Sequence, residues 1–185
     1  EAYSDKLEIS QYLDFSVSKV GLVKGRRIEL LLKVLTGNKS IGQLKIPYAC
    51  TAIDVKTGEV AVFKDGGLYE AIRASISMPG VFAPYEIEGR FYMDGGPLCR
   101  VPSGAARELG ADVVIGVDVS WRGQEKRVPT NPLSARQSAL SITGWEIAKG
   151  RENEADLLIT PDVHKVNPFS QKEAEICIAE GEKSA

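Results

Sequence analysis

Asp94 closes an apolar run, Phe91-Tyr92-Met93, and is followed by Gly95, Gly96 and Pro97. A carboxylate so placed can take a proton as a general base. It can equally hold a hydroxyl by a hydrogen bond while that hydroxyl attacks an electrophile. Free aspartate, with a pKa near ~3.9, is a poor base at neutral pH. Partial burial raises that value and a bonded hydroxyl shares the proton, so an aspartate acting alone on a serine needs a site that excludes water. The two glycines permit positive φ and let a second backbone or a substrate come close. Asp65-Gly66-Gly67 is a second copy of the tripeptide. Asp-Gly is also an ordinary turn signal, so the tripeptide by itself reads more readily as a turn than as a site. Context separates the copies. Asp65 follows Lys64 in a polar stretch, whereas Asp94 follows an apolar strand and precedes a Pro-bounded helix.

Other chemistries find little support. A Ser-His-Asp triad would need His164, the single histidine, which lies in the polar stretch TPDVHKVNP and reads as a surface residue. One histidine cannot build a His-rich metal site, and neither HExxH nor an EF-hand loop occurs, so no metal or other cofactor is expected. Cys50, Cys99 and Cys177 are odd in number and widely spaced, which reads as free thiols in a reducing, cytoplasmic setting. The net charge of -2 gives no basic excess for nucleic acid, and no polybasic run marks an anionic membrane. No apolar run approaches the ~20 residues of a membrane span, and no element looks like a dedicated membrane anchor. Gly37-Asn38-Lys39-Ser40 lacks the phosphate-loop spacing, and no GxGxxG follows a strand.

The elements that must position Asp94 follow from periodicity. Residues 24–36, KGRRIELLLKVLT, place Ile28, Leu31, Leu32 and Leu35 at helical spacing and predict a core-facing helix stopped by Gly37. KIPYACTAIDVKTGEVAVF predicts two strands around Thr57-Gly58, and a short helix from Leu68 to about Ile76 follows. YEIEGRFYMD predicts a hairpin turning at Glu88-Gly89. VPSGAARELG predicts a helix ending at Gly110. Val113, Val114, Ile115 and Val117 make a nearly continuous apolar run, the pattern of a parallel strand buried on both faces. WRGQEKRVPTNP reads as an exposed loop. A long helix then carries Ile142, Trp145 and Ala148 on one face, ADLLITPDV repeats the buried-strand pattern, and a last helix holds Ile176, Ile178 and Ala179. This alternation is that of an α/β fold, read as one domain over residues 1–185.

AIRASISMPGVFAPYEIEGRFYMDGG, then Val101-Pro102 and ELGADVVIGVDVS, resembles the C-terminal catalytic half of patatin-like phospholipases, the small bacterial members above all. GLVKGRRIELLLKVLTG, LKIPYACTAIDVKTGEVAVF and ADLLITPDV fall in the order that family would give, so the resemblance runs through nearly the whole chain. It implies a three-layer α/β/α sandwich of the lysophospholipase-like type and an acyl hydrolase with a Ser–Asp dyad. Asp94 would be the general base, with Gly95 and Gly96 as its turn. Ser75, Ser77 and Pro79 would be neighbours of the dyad. Met78 and Phe82, with Val81 and Tyr85, form an apolar–aromatic cluster that either lines an acyl pocket or is ordinary packing. No cofactor is implied, and the partner is a lipid or other ester.

The chain departs from the family pattern in three places. It has no GxSxG nucleophile elbow, and it has no Gly-rich oxyanion loop. Gly37–Gly42 is one residue too long for an elbow and follows a helix. Cys99-Arg100 replaces the Asn-Pro of many relatives, which points to Arg100 as a substrate-headgroup contact or as a neutral change. The chain is therefore expected to be a fragment, inactive on its own. Uncovered apolar sheet surface would favour a homo-oligomer. Membrane contact is expected only as far as lipid substrates sit at interfaces. An acyltransferase of the same fold, and a non-catalytic module binding an acyl chain or a protein, remain as alternatives.

Overall fold

The computed structural model describes residues 24–123, 128–149, 154–166 and 173–185. The chain divides into two compact units, residues 1–95 and 96–185.

The first unit holds α1 (Arg26–Thr36), β1 (Cys50–Asp54), β2 (Val60–Phe63), α2 (Leu68–Ser75), β3 (Tyr85–Ile87) and β4 (Arg90–Asp94). Its sheet runs β2-β1-β4-β3, every pair antiparallel. Glu88 and Gly89 both take positive φ, 50° and 76°, the twist that a tight two-residue hairpin requires between β3 and β4. Asp54 turns the chain from β1 to β2. Its Oδ1 accepts from the backbone N–H groups of Lys56 (2.8 Å) and Thr57 (3.2 Å), and its Oδ2 meets Arg90 at 2.6 Å. Burial alone would raise the Asp54 pKa, but these donors and the Arg90 charge outweigh it and hold the carboxyl below its usual value.

Two small cores fix α2 against the sheet. Ile41, Leu68 and Ala71 form one, and Ala52, Ala74 and Tyr92 the other, with Phe63 edge-on to Tyr92 at 5.1 Å. The small residues Ala71 and Ala74, three apart on α2, let the helix approach the strands closely. The expected core-facing helix forms as α1, but none of its residues is fully buried, and Leu35 is exposed. Its inner side is instead a polar contact with α2: Lys33 bonds Glu29 at 2.7 Å and lies 4.6 Å above the Tyr69 ring.

The second unit holds α3 (Ser103–Glu108), β5 (Ile115–Val117), α4 (Pro132–Ala148), β6 (Leu157–Ile159) and α5 (Ala174–Ser184). β5 and β6 pair in parallel. Asp156 braces the β5 end, accepting from Val114 N–H at 2.7 Å and from Arg107 at 2.5 Å, which together hold its carboxyl below the usual range. Asn131 caps α4, accepting from Ser134 N–H at 2.9 Å, with Pro132 at the first helical position. Gly144 is buried where α4 meets Pro97, whose carbonyl lies 3.3 Å from the position of an added Cβ.

The buried-strand expectation fails for both parallel strands: in β6, Leu157 is exposed and Leu158 and Ile159 are only half-buried. β5 is not buried on both faces. Val114, Gly116 and Asp118 are buried, but Val113, Ile115, Val117 and Val119 on the opposite face are all more than half exposed. Successive residues of a strand point to opposite faces, so an apolar run covers both faces whether or not both are packed. Val101, Ala155 and Leu158 crowd the Gly116 face alone. Ile142 does not share the covered face of Trp145 and Ala148, and Ile176 and Ile178 of α5 are likewise exposed. Part of the loop expected after Trp121, residues 124–127, lies outside the described residues.

Candidate active site

Asp94 is the last residue of β4, half-buried and paired in register with Ala52 of β1. Its backbone N–H donates to the carbonyl of Ser77 at 3.0 Å. The carboxylate therefore leaves a central strand whose main chain is fixed on both sides. Gly95 is buried against β1: an added Cβ would lie 2.6 Å from Thr51 Oγ1 and 2.8 Å from the Thr51 carbonyl oxygen. Neither Gly95 nor Gly96 has positive φ. The expected conformational freedom is thus not what this position uses; close approach of backbone is. The second Asp-Gly-Gly behaves in the opposite way. Gly66 takes φ +80°, with open space around its Cβ position, and is a turn leading into α2.

Ser77 is fully buried, with its hydroxyl committed. Oγ donates to the carbonyl of Arg73 at 2.8 Å and accepts from Arg73 Nη1 at 2.7 Å. Arg73 is 1% exposed, its guanidinium 4.8 Å from the Phe82 ring and 5.2 Å from the Tyr85 ring. Its Nη2 donates to the carbonyl of Lys24 at 3.2 Å, and it fills the space that a side chain at Gly25 would need. Burial first, then the nearby carboxylates of Glu29 and Glu70, push the Tyr85 phenol up to about 12, so it stacks as a neutral ring.

Arg73 was not singled out by its sequence context. The available signal was a cation set between the apolar positions of α2, four residues before a serine, where one helical turn brings the two side chains together. Phe82 takes part in this packing, 5% exposed beneath the Arg73 guanidinium. Met78, half-buried, accepts from the N–H groups of Val81 and Phe82 in the turn that contains Pro79. Ser75 is the last residue of α2 and is half-buried. Of the expected neighbours, Ser77 is bonded to Asp94, its carbonyl accepting from the Asp94 N–H. Ser40, in the stretch nearest to an elbow, caps a short turn of helix, its N–H donating to Gln43 at 2.9 Å.

Arg100 lies in the second unit, its side chain 7% exposed. Its Nε donates to Ser120 Oγ at 2.8 Å, its Nη2 to the carbonyl of Trp121 at 2.5 Å, and its guanidinium lies 5.5 Å from the Trp145 ring. Asp118 is 3.9 Å away and accepts from Ser120 through both N–H and hydroxyl. A cavity of about 70 Å³ adjoins this cluster, lined by Leu98, Cys99, Asp118, Trp145 and Leu158 among others. His164 pairs with Asp162, and its side chain is largely covered, not the surface group expected. Cys50, Cys99 and Cys177 are half-buried and form no disulfide with one another.

A sequence model of patatin-like phospholipases matches residues 9–106, slightly more than half of the chain. The chain belongs to that family, and its mixed α/β architecture is of the kind the family has. An uncharacterized NTE family protein of Mycobacterium tuberculosis is 38% identical over 112 residues, 60% of this chain and 31% of that protein. Patatin-like phospholipase domain-containing protein 6 of Homo sapiens is 29% identical over 157 residues, 83% of this chain and 11% of that protein. The corresponding protein 7 of Rattus norvegicus is 29% identical over 118 residues, 63% of this chain and 9% of that protein. The chain therefore spans less than a third of the length of these relatives. Among the described residues, no helix is long and apolar enough to cross a membrane.

Proposed function

We propose that this chain supplies the general base of an acyl hydrolase acting on carboxylic esters of lipids, and that Asp94 is that base. The observation carrying the reading is the fixed placement of Asp94 at the end of a central strand. Its N–H is held by Ser77, and its neighbour Gly95 is wedged on the Thr51 backbone. Family membership and the phospholipase names of the relatives support a lipid ester as substrate. In the proposed cycle, Asp94 takes the proton of a serine hydroxyl as its oxygen attacks the ester carbonyl. The tetrahedral intermediate collapses, and the alcohol leaves with that proton. Water then attacks the acyl-enzyme as Asp94 accepts its proton; the second tetrahedral intermediate expels the serine oxygen, which takes that proton from Asp94, and the carboxylic acid leaves. The 185 residues contain no GxSxG, so the serine is assigned to sequence outside them, and these residues by themselves are proposed to be inactive.

The test is ester turnover by the longest chain the gene encodes, with and without Asp94→Asn. Loss of about 10²–10⁴-fold in kcat is expected. Retention of activity would overturn the assignment. An added acceptor alcohol separates hydrolysis from acyl transfer by product. One observation favours a second reading: the Ser120 hydroxyl is bonded to the Asp118 carboxylate. Nucleophilic behaviour of Ser120 in the 185-residue chain would place a reactive serine there instead.

A further inference from the structure

The two sides of α1 are unlike, and the more apolar one faces outward. At 100° per residue, Arg26, Leu30, Val34, Arg27, Leu31 and Leu35 fall in that order on one half of the helix. Leu30, Val34 and Leu35 are 62%, 75% and 53% exposed, and both arginines are exposed. Glu29, the only carboxylate in α1, lies on the other half, where it bonds Lys33 beside Tyr69 of α2. The charge is equally lopsided along the chain. Residues 24–45 hold Lys24, Arg26, Arg27, Lys33, Lys39 and Lys45 against Glu29 alone, in a chain whose net charge is -2. These cations are interleaved with apolar residues, so no contiguous basic run marks the segment. Lys24, Arg26 and Arg27 are exposed at the start of the helix, whereas Lys33 is turned to its inner half.

We infer that α1 is an interfacial docking helix that lays Leu30, Val34 and Leu35 into an anionic phospholipid bilayer surface, with Arg26 and Arg27 at the headgroups. An exposed apolar stripe flanked by cations, with no carboxylate on its arc, complements a surface that is negative outside and hydrocarbon beneath. The choice of a bilayer as occupant rests on the proposed lipid hydrolase function, since such an enzyme must reach substrate in an interface. The inference assigns an element to the interfacial contact that the sequence reading expected only from the nature of lipid substrates, without a dedicated anchor.

The test is co-sedimentation of the 185-residue chain with vesicles of ether-linked lipids, which no esterase can cleave. One set is phosphatidylcholine alone and the other an equal mixture with phosphatidylglycerol. Binding to the mixed vesicles only, weakened by high salt, is expected. Arg26→Gln with Arg27→Gln should weaken it about 25-fold, roughly fivefold per cation. Leu30→Gln with Val34→Gln should weaken it by more than about tenfold. All four positions are exposed, so the circular dichroism spectrum should not change. No preference for the anionic vesicles, or binding indifferent to both pairs of substitutions, would overturn the inference. So would absence of vesicle binding together with a Leu30→Gln, Val34→Gln pair that turns a dimer into a monomer, which would make α1 a protein contact. Turnover of a soluble short-chain ester by the longest chain, without vesicle binding, would remove the docking helix and leave the proposed function standing. Vesicle binding without turnover would do the reverse.

Discussion

Gly95→Ala is the substitution for which the structure gives the sharpest expectation. The new methyl would stand 2.6 Å from Thr51 Oγ1, 2.8 Å from the Thr51 carbonyl oxygen and 2.9 Å from its carbon. Rotation of the Thr51 hydroxyl relieves only the first contact. The other two are main chain in β1, one residue before the Ala52–Asp94 pair, so relief requires the strands to separate locally. Overpacking of this kind costs about 1–3 kcal/mol, and disturbing the pairing places Gly95→Ala at the upper end of that range. Gly66→Ala is the matched control. Its backbone is at φ +80°, but the Cβ position is open, so the cost is only that of a left-handed alanine, about 1 kcal/mol. Both tryptophans lie beyond residue 95, so their fluorescence reports on the second unit. Urea unfolding of the first unit should be followed by its tyrosine signal and by far-UV circular dichroism. Gly95→Ala should lower its stability by about 1–2 kcal/mol more than Gly66→Ala, a difference of several degrees in melting temperature. Equal costs, or a larger cost at Gly66, would refute the claim that close approach distinguishes the two Asp-Gly-Gly copies.

Ser77→Ala removes a bond to a buried guanidinium and is expected to cost about 1.5–3 kcal/mol in the same unfolding assay, as hydrogen bonds to charged groups do. Arg73→Met should cost no more than that, because it removes the buried charge instead of stranding it; a larger loss would show that the aromatic stacking on Phe82 and Tyr85 dominates. Asp54 and Asp156 both have carboxyl pKa values held below those of the unfolded chain. Their contribution to stability is thus complete above about pH 4 and is lost as pH falls through the lower folded values. Asp54→Asn should flatten the acid limb of a stability–pH curve, and an unchanged limb would count against the Lys56, Thr57 and Arg90 contacts as its source.

Local chemistry made the hairpins and helix ends readable in the sequence. The Glu88-Gly89 turn, the Leu68–Ser75 helix and the stop at Gly110 depend on residues within a few positions of one another. Asp94 was legible as a candidate for the same reason: a carboxylate between an apolar strand and two glycines. What those glycines do was not. The contact that makes Gly95 necessary comes from Thr51, more than forty residues earlier, and no local pattern announces it. Arg73 was hidden in the same way, since its partners are Phe82, Tyr85 and the Lys24 carbonyl. The outward apolar faces of α1 and β5 show the complementary failing. Period alone reveals that a face is apolar, but it cannot say which neighbour, if any, covers it.

The central claim is that Asp94 activates a serine that the 185 residues do not contain. Reaction with a fluorophosphonate probe, read by intact mass, tests it most directly. The longest chain the gene encodes should gain one adduct on a serine in a GxSxG segment, Asp94→Asn should slow that labelling strongly, and the 185-residue chain should gain none. Labelling of the 185-residue chain, or labelling of the longest chain unaffected by Asp94→Asn, would contradict the account.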